Sequence, residues 1–345
     1  MQNENTRTEL STLGEFGLIK QLTKKFNIKN SSTVKGVGDD CAVINNQKHT
    51  VITTDMLVEG IHFDLMYTPL KHLGYKSVVV NLSDVFAMNA TPKQITVSLA
   101  ISNRFSVEAL EELYDGIRTA CETYQVDLVG GDTCSSPKGL MISITAIGEA
   151  DESDLVYRSG SAENDLLCVS GDLGAAYLGL QILEREKRLF QENPDIKPDL
   201  EEQQYLIGRQ LKPEARRDVI ELLKEMNVKP TSMIDVSDGL ASEIFHLCEQ
   251  SNLGCQLFED KIPIAEEAYN MALKFHLDPA TCALSGGEDY ELLFTVKQDD
   301  FEKVRMLPEL SVIGYMTKPE AGKILTTKGG NHHPLKAQGW NAFSE

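Results

Sequence analysis

Carboxylates recur along this chain in short settings flanked by glycine, serine or threonine: Gly38-Asp39-Asp40, Thr53-Thr54-Asp55, Ser83-Asp84, Gly130-Gly131-Asp132, Asp235-Val236-Ser237-Asp238 and Gly287-Glu288-Asp289. Surface carboxylates ordinarily sit among other charges on helix faces. Most of these instead follow apolar runs, Val51-Ile52, Asp127-Leu128-Val129 and Ser232-Met233-Ile234, which read as buried strands. Acidic side chains at strand ends can meet around hard cations, whose preferred ligands are oxygens. Asp235 and Asp238 make the sharpest case, because two carboxylates around one serine repel unless a cation or a donor compensates. Taken singly, Asp39-Asp40 reads equally as a turn, Ser237-Asp238-Gly239 as a helix cap and Gly286-Gly287 as a tight hairpin. Taken together, the motifs predict a metal site with room for a metal-bound anion.

Familiar phosphate devices are missing. There is no Gly-x-x-x-x-Gly-Lys-Ser/Thr loop, Gly36-Val37-Gly38 lacks the third glycine of a dinucleotide fingerprint, and the His-Arg-Asp and Asp-Phe-Gly signatures of protein kinases are not present. If the chain handles a nucleoside triphosphate, metal ions must neutralise most of its charge, with carboxylates on the metals and glycine N–H groups on phosphate oxygens.

The elements that must position these residues are mixed α/β. Apolar residues at Phe16, Ile19, Leu22 and Phe26 predict an early amphipathic helix. Strands are expected at 42–44, 51–54, 95–101, 126–129 and 141–147, and Ser106 offers an N-cap for a helix running to about Tyr124. The stretch Lys71–Met88 carries both signals, Val78-Val79-Val80 for strand and a wider apolar spacing for buried helix, and is read as helix. A first domain is expected over 1–150 and a second over 151–345, the latter with strands at 166–170, 233–236, 255–258, 290–296 and 312–315. Its helices are expected after Gly174, at Pro213–Met226 and at Leu240–Gln250. Between them, Gln191–Gln204 reads as a solvated excursion with no direct role. Ser83-Asp84 precedes Gly130-Gly131 by about as many residues as Ser237-Asp238 precedes Gly286-Gly287, a spacing that fits duplication and coincidence equally.

At 345 residues the chain exceeds the size at which one hydrophobic core usually stops growing, which favours two domains. A net charge of −19, from 33 basic and 52 acidic residues, argues against nonspecific nucleic-acid or anionic-membrane binding. No apolar run is long enough to span a bilayer, and the polar start Met1 to Glu9 has no signal-peptide core, so a cytoplasmic protein is expected. The seven cysteines form no Cys-x-x-Cys pair and the seven histidines no metal spacing; His62 alone falls near the acidic motifs.

With these residues in hand a resemblance emerges. Gly36-Val37-Gly38-Asp39-Asp40-Cys41-Ala42, Thr54-Asp55-x-Leu57-Val58-x-Gly60-x-His62-Phe63, Asn81-Leu82-Ser83-Asp84-x-x-Ala87-Met88, Gly130-Gly131-Asp132-Thr133, Asp235-x-Ser237-Asp238-Gly239-Leu240 and Leu284-Ser285-Gly286-Gly287-Glu288-Asp289-Tyr290-Glu291 resemble the thiamine-monophosphate kinase family, in order and over nearly the whole chain. The wider superfamily includes aminoimidazole ribonucleotide synthetase and selenophosphate synthetase. The resemblance implies its two-domain α/β architecture with mixed sheets, and transfer of the γ-phosphate of ATP to thiamine monophosphate. It also implies several Mg2+ ions at Asp40, Thr53, Thr54, Asp55, Asp84, Asp132, Asp235 and Asp238. Nucleotide contacts are implied at Tyr114, Gly131, Asp132, Arg158 and Ser237, substrate contacts at His62, Glu288 and Trp340, and a homodimer built through the first domain. Around Trp340, Gly339-Trp340-Asn341-Ala342-Phe343 departs from the family's usual aspartate and histidine between the two aromatics.

The chemistry agrees with such an acceptor. A phosphate monoester with second pKa about 6 is largely dianionic at neutral pH, so its oxygen needs no dedicated general base and none is nominated. Arg158 is the one cation expected near the polyphosphate, and an acidic site with an aromatic wall tolerates a cationic thiazolium. Two alternatives stand beside this reading. One is another ATP-using enzyme of the superfamily; against it, no cysteine precedes Gly36 as in selenophosphate synthetases, and the sequence closes Phe343-Ser344-Glu345 without the reactive cysteine of the hydrogenase-maturation relatives. The other is a noncatalytic metal- or nucleotide-binding module.

Overall fold

The computed structural model describes residue 8 and residues 10–37, 42–195 and 200–336. These divide into two compact units, residues 1–85 with 90–154 and residues 86–89 with 155–345. Asp40 and Trp340, two of the expected site residues, lie outside the described residues.

In the first unit, helix α1 (Leu10–Thr23) leads to the short strands β1 (Thr33–Lys35) and β2 (Val43–Ile44). There follow β3 (His49–Val58), α2 (Leu70–Ala87, its last residues counted with the second unit), β4 (Thr91–Ile101), α3 (Val107–Tyr124), β5 (Asp127–Ser135) and β6 (Leu140–Ala150). Four strands form one sheet in the order β3-β6-β4-β5, antiparallel except for the parallel pair β4–β5. Along β6 the even-numbered residues are buried and the odd ones half-exposed, the period-2 signature of a sheet covered on one face. The Lys71–Met88 expectation resolves as helix: Leu73, Val78, Val79 and Leu82 are all inaccessible. Ser106 caps α3 as expected, accepting from Ala109 N.

Strands β3 and β5 run past the points where the sequence placed their ends. Thr53, Thr54 and Asp55 are mid-strand, with β3 paired to β6 over ten residues, and Asp132 lies inside β5 rather than after it. The apolar run stops at Ile52 because one face of the sheet is open and the other carries polar groups. Backbone pairing continues without hydrophobic patterning to advertise it. A bulge in β5 lets Leu128 pair with Ile95 and Gly130 with Thr96, leaving Val129 as the extra residue. Two residues later Gly131 has φ +157°, and a Cβ there would lie 1.8 Å from Val97 O, so the backbone approach admits only glycine.

The second unit contains β7 (Leu166–Ser170), α4 (Ala175–Glu192), α5 (Gln204–Leu211), α6 (Arg217–Glu225), β8 (Ser232–Asp235), α7 (Leu240–Ser251), β9 (Gly254–Phe258), α8 (Glu266–Lys274), α9 (Pro279–Ser285), β10 (Leu292–Val296), α10 (Phe301–Val304), β11 (Leu310–Thr317), β12 (Lys323–Thr326) and β13 (His332–Pro334). Its seven-stranded sheet has the order β13-β12-β9-β11-β7-β10-β8, mostly antiparallel, with β9 and β12 parallel. Every residue of β8 and β10 is buried, which explains why the apolar stretches Met233-Ile234 and Leu292-Leu293-Phe294 do not alternate with exposed polar residues. The expected helix over Pro213–Met226 begins only at Arg217. Helices α5, α8 and α9 and strands β12 and β13 add elements that the apolar patterning did not reveal.

Candidate functional site

In the first unit Asp55, Asp84 and Thr53 converge. Strand β3 presents Thr53 and Asp55 on alternate positions, hence on one face. Helix α2 brings Asp84 to the same place, where Thr53 Oγ1 donates to Asp84 Oδ2 at 2.6 Å. Asn81, one turn earlier on α2, accepts from Asp55 N at 2.9 Å through Oδ1 and donates to Ser77 O at 3.0 Å, pinning the strand to the helix. Burial pushes the Asp55 carboxyl up to about 6, with the Asp84 charge as a second cause. Thr54 turns to the opposite face, where its hydroxyl donates to Ile144 O and accepts from Thr145 Oγ1.

Asp132 is not brought to Asp55 within the sheet. The register Met56–Ser143–Ser98–Asp132 crosses all four strands, so Asp132 and the Asp55 region occupy opposite edge strands, ~14 Å apart at ordinary strand spacing. Among the described residues no three His, Cys, Asp or Glu side chains gather as a ready-made metal cluster. His62 lies in the turn after β3, where its Nδ1 accepts from Val58 N at 3.1 Å, leaving Nε2 to carry the proton in the neutral ring. Tyr114 is buried on α3 with its ring edge-on to Phe26, 6.2 Å between centroids, and desolvation pushes its phenol up to about 12.

The segment before Gly36 is anchored by a residue the sequence reading did not single out. Asp127, 1 % exposed at the start of β5, accepts from Lys29 N, Asn30 N and Thr33 Oγ1 at 2.7 to 3.0 Å. Its only sequence signal is an acid opening an apolar strand.

In the second unit the two acidic loops interlock. Beyond the β8–β10 ladder, Val236 N donates to Glu291 O, Glu288 N to Ser237 O and Tyr290 N to Val236 O, at 2.7 to 2.9 Å. This close run explains Gly287, which has φ +71° and whose Cβ would fall 2.6 Å from Ser237 O. Asp235 is buried at the end of β8. Burial raises the Asp238 carboxyl from its ordinary value and Glu288 adds to the rise, while His246 and Arg158 oppose it, so Asp238 feels the charges of both Glu288 and Arg158. Glu243, on α7, accepts from Asp238 N at 3.1 Å and is pushed up to about 7, chiefly by burial. Sequence reasoning missed it, since an acid in the first turn of a helix reads as a favourable dipole partner. Asp289 is tied elsewhere: its carboxylate accepts from Gly174 N at 2.8 Å and Ala176 N at 3.3 Å, capping α4, whose own N-cap Gly174 has no side chain to do so.

Comparison with known proteins places this arrangement. Residues 38–150 match the family "AIR synthase related protein, N-terminal domain" and residues 151–326 its C-terminal counterpart. A thiamine-monophosphate kinase of Bacillus subtilis is 33 % identical over 340 residues, 96 % of this chain and 100 % of the relative. One from Aquifex aeolicus is 34 % identical over 328 residues, 94 % and 99 % of the two chains. Among solved structures, AaThiL complexed with AMPPCP and TMP superposes with a TM-score of 0.73 at 31 % identity, covering 97 % of this chain and 99 % of that one. The thiamine-monophosphate kinase of Stenotrophomonas maltophilia gives 0.76 at 29 % identity, covering 94 % and 98 %. The hydrogenase maturation protein HypE in complex with ATP, at 18 % identity and a TM-score of 0.72, shares the fold.

Proposed function

Since the chain belongs to the thiamine-monophosphate kinase family, with AIR-synthase-related domains in both halves, we propose that it transfers the γ-phosphate of ATP to thiamine monophosphate, giving thiamine diphosphate and ADP. The observation that carries the chemistry is the meeting of Asp55, Asp84 and Thr53, where two carboxylates and a hydroxyl share a space in which burial already penalises charge. This all-oxygen set suits a hard cation. Asp55, Asp84 and Thr53, with Asp40, Thr54, Asp132, Asp235 and Asp238 as further candidates, would hold Mg2+, which when bound neutralises polyphosphate charge and supports in-line displacement.

The chain's own groups have narrower tasks. Asn81 fixes the height of Asp55 on β3. Gly131, whose backbone lies too close to Val97 O for any side chain, would leave a bare backbone for a phosphate oxygen to approach. Ser237 lies in a loop whose carbonyl is held by Glu288 N, and Arg158 offsets the charge of Asp238. Tyr114 and Arg158 serve the nucleotide; His62, Glu288 and Trp340 serve thiamine monophosphate. An oxygen of the acceptor phosphate attacks the γ-phosphorus, the bond to ADP breaks, and ADP leaves with the electron pair. The acceptor is already deprotonated at neutral pH, so no side chain acts as base.

The working form in this reading is a cytoplasmic homodimer. Its support is the open face of the four-stranded sheet, where Ile52 and Met56 are 68 % and 56 % exposed, and an apolar face of this kind favours a partner surface. Among the described residues no helix is long and apolar enough to cross a membrane.

Incubating the purified protein with ATP, Mg2+ and thiamine monophosphate tests the proposal. Thiamine diphosphate is expected by mass spectrometry, and no product above a no-enzyme control overturns it.

A further inference from the structure

Helix α5 follows the charged excursion at 191–204, and its side chains reach the Gly286–Glu291 loop. Arg209 pairs with Glu291 Oε1 at 3.0 Å and donates to Asp172 O and Asp289 O at 3.0 and 3.3 Å. Tyr205 donates its hydroxyl to Asp172. Gln210, 5 % exposed, donates from Nε2 to Glu288 Oε2 at 2.9 Å. The other oxygen of that carboxylate, Oε1, lies 3.4 Å from the hydroxyl of Tyr290.

Glu288 is held unusually firmly. Its φ is +59° and that of Tyr290 is +52°, so two non-glycine residues occupy left-handed backbone on either side of Asp289, whose carboxylate is fixed to the start of α4. Such conformations persist where surrounding bonds over-determine them, and they concentrate at functional sites. A carboxylate accepts hydrogen bonds on both oxygens, so donors from Gln210 and Tyr290 fix its plane.

We propose that Gln210 is a positioning residue for substrate recognition: its amide orients the Glu288 carboxylate toward the cationic or N–H-donating part of thiamine monophosphate. The inference rests on the reading of Glu288 as a substrate residue. Nothing in the sequence of α5 marks Gln210, since a glutamine in a polar helix reads as solvent-facing.

The test compares E288Q, Q210L and the double variant by steady-state kinetics and thermal melting. Q210L is expected to raise KM for thiamine monophosphate about tenfold, as loss of one hydrogen bond to a charged group does, with KM for ATP changed less than about twofold. The double variant is expected to be no worse than E288Q alone, because Gln210 acts through Glu288. If Q210L destabilises the fold, the unbranched Q210M removes the amide at nearly constant volume, and the same KM split is expected. An unchanged thiamine monophosphate KM in Q210L and Q210M, with E288Q impaired, overturns the positioning role, as do fully additive losses. An unimpaired E288Q overturns the reading of Glu288 itself, and the positioning role with it.

Discussion

Asp55 lies half-buried beside Asp84, and both circumstances penalise its anion, burial first and the neighbouring charge second, so its carboxyl is pushed up to about 6 from an ordinary 3.8. A carboxyl raised on folding costs stability in full above pH 6, and the cost is relieved as pH falls from 6 toward 3.8, because the folded state there binds the proton more tightly. In chelator-treated protein the melting temperature of the native chain, measured relative to D55N, is therefore expected to rise as pH drops from 7.5 to 5. A flat difference would remove the electrostatic basis of the site. Added Mg2+ at pH 7.5 is expected to raise the native melting temperature and to have a smaller effect on D55N, because ligands that bind the folded state stabilise it. D55N should also lower turnover by about a thousandfold or more, the scale on which metal-borne charge stabilisation operates, with the fold intact. Wild-type turnover in that variant would sink the metal-ligand assignment.

At the scale of elements, the motifs were legible where chemistry forces a residue type, and the strands around them were not. Gly287 and Gly131 stood out in the sequence, and the close backbone approaches at both positions explain why a side chain is excluded. Asp55 and Asp132 were expected at strand ends and lie mid-strand, since a strand with one open face and polar groups on the other loses the alternation that marks it. The excursion at 191–204 read as inert, yet α5 immediately beyond it holds the Glu288 loop. Contacts between elements distant in sequence leave no periodic signature, and the triple acceptor Asp127 went unread for the same reason. Asp127→Ala removes the acceptor of two part-buried backbone N–H groups and of the buried Thr33 hydroxyl, at a cost of about 2 kcal/mol. Urea unfolding is expected to show a stability loss of that size, the midpoint shift multiplied by m, and a loss under about 1 kcal/mol would mean that water replaces the carboxylate without penalty.

At the scale of the whole molecule, the first unit's sheet has one face that the described residues of that unit leave open. The cross-strand pairs Ile52–Ile147, Thr54–Thr145 and Met56–Ser143 place Ile52, Met56 and Ile147 on that face, with Thr96 and Ser98 continuing it on β4. A net charge of −19 supplies long-range repulsion between copies, so association must come from local apolar burial rather than attraction at a distance. A stable dimer needs roughly 800 Å² covered on each partner, an area within reach of one face of a four-stranded sheet with strands of nine to eleven residues. Replacing Ile52 by Glu puts a charge on the β3 edge of that face while leaving the buried side of β3 untouched. The native protein is expected to sediment as a dimer at micromolar concentration, and Ile52→Glu to weaken association at least tenfold with little change in the unfolding midpoint. A native chain that sediments as a monomer at tens of micromolar, or an Ile52→Glu variant that stays dimeric, would show that the face is covered by something other than a second copy.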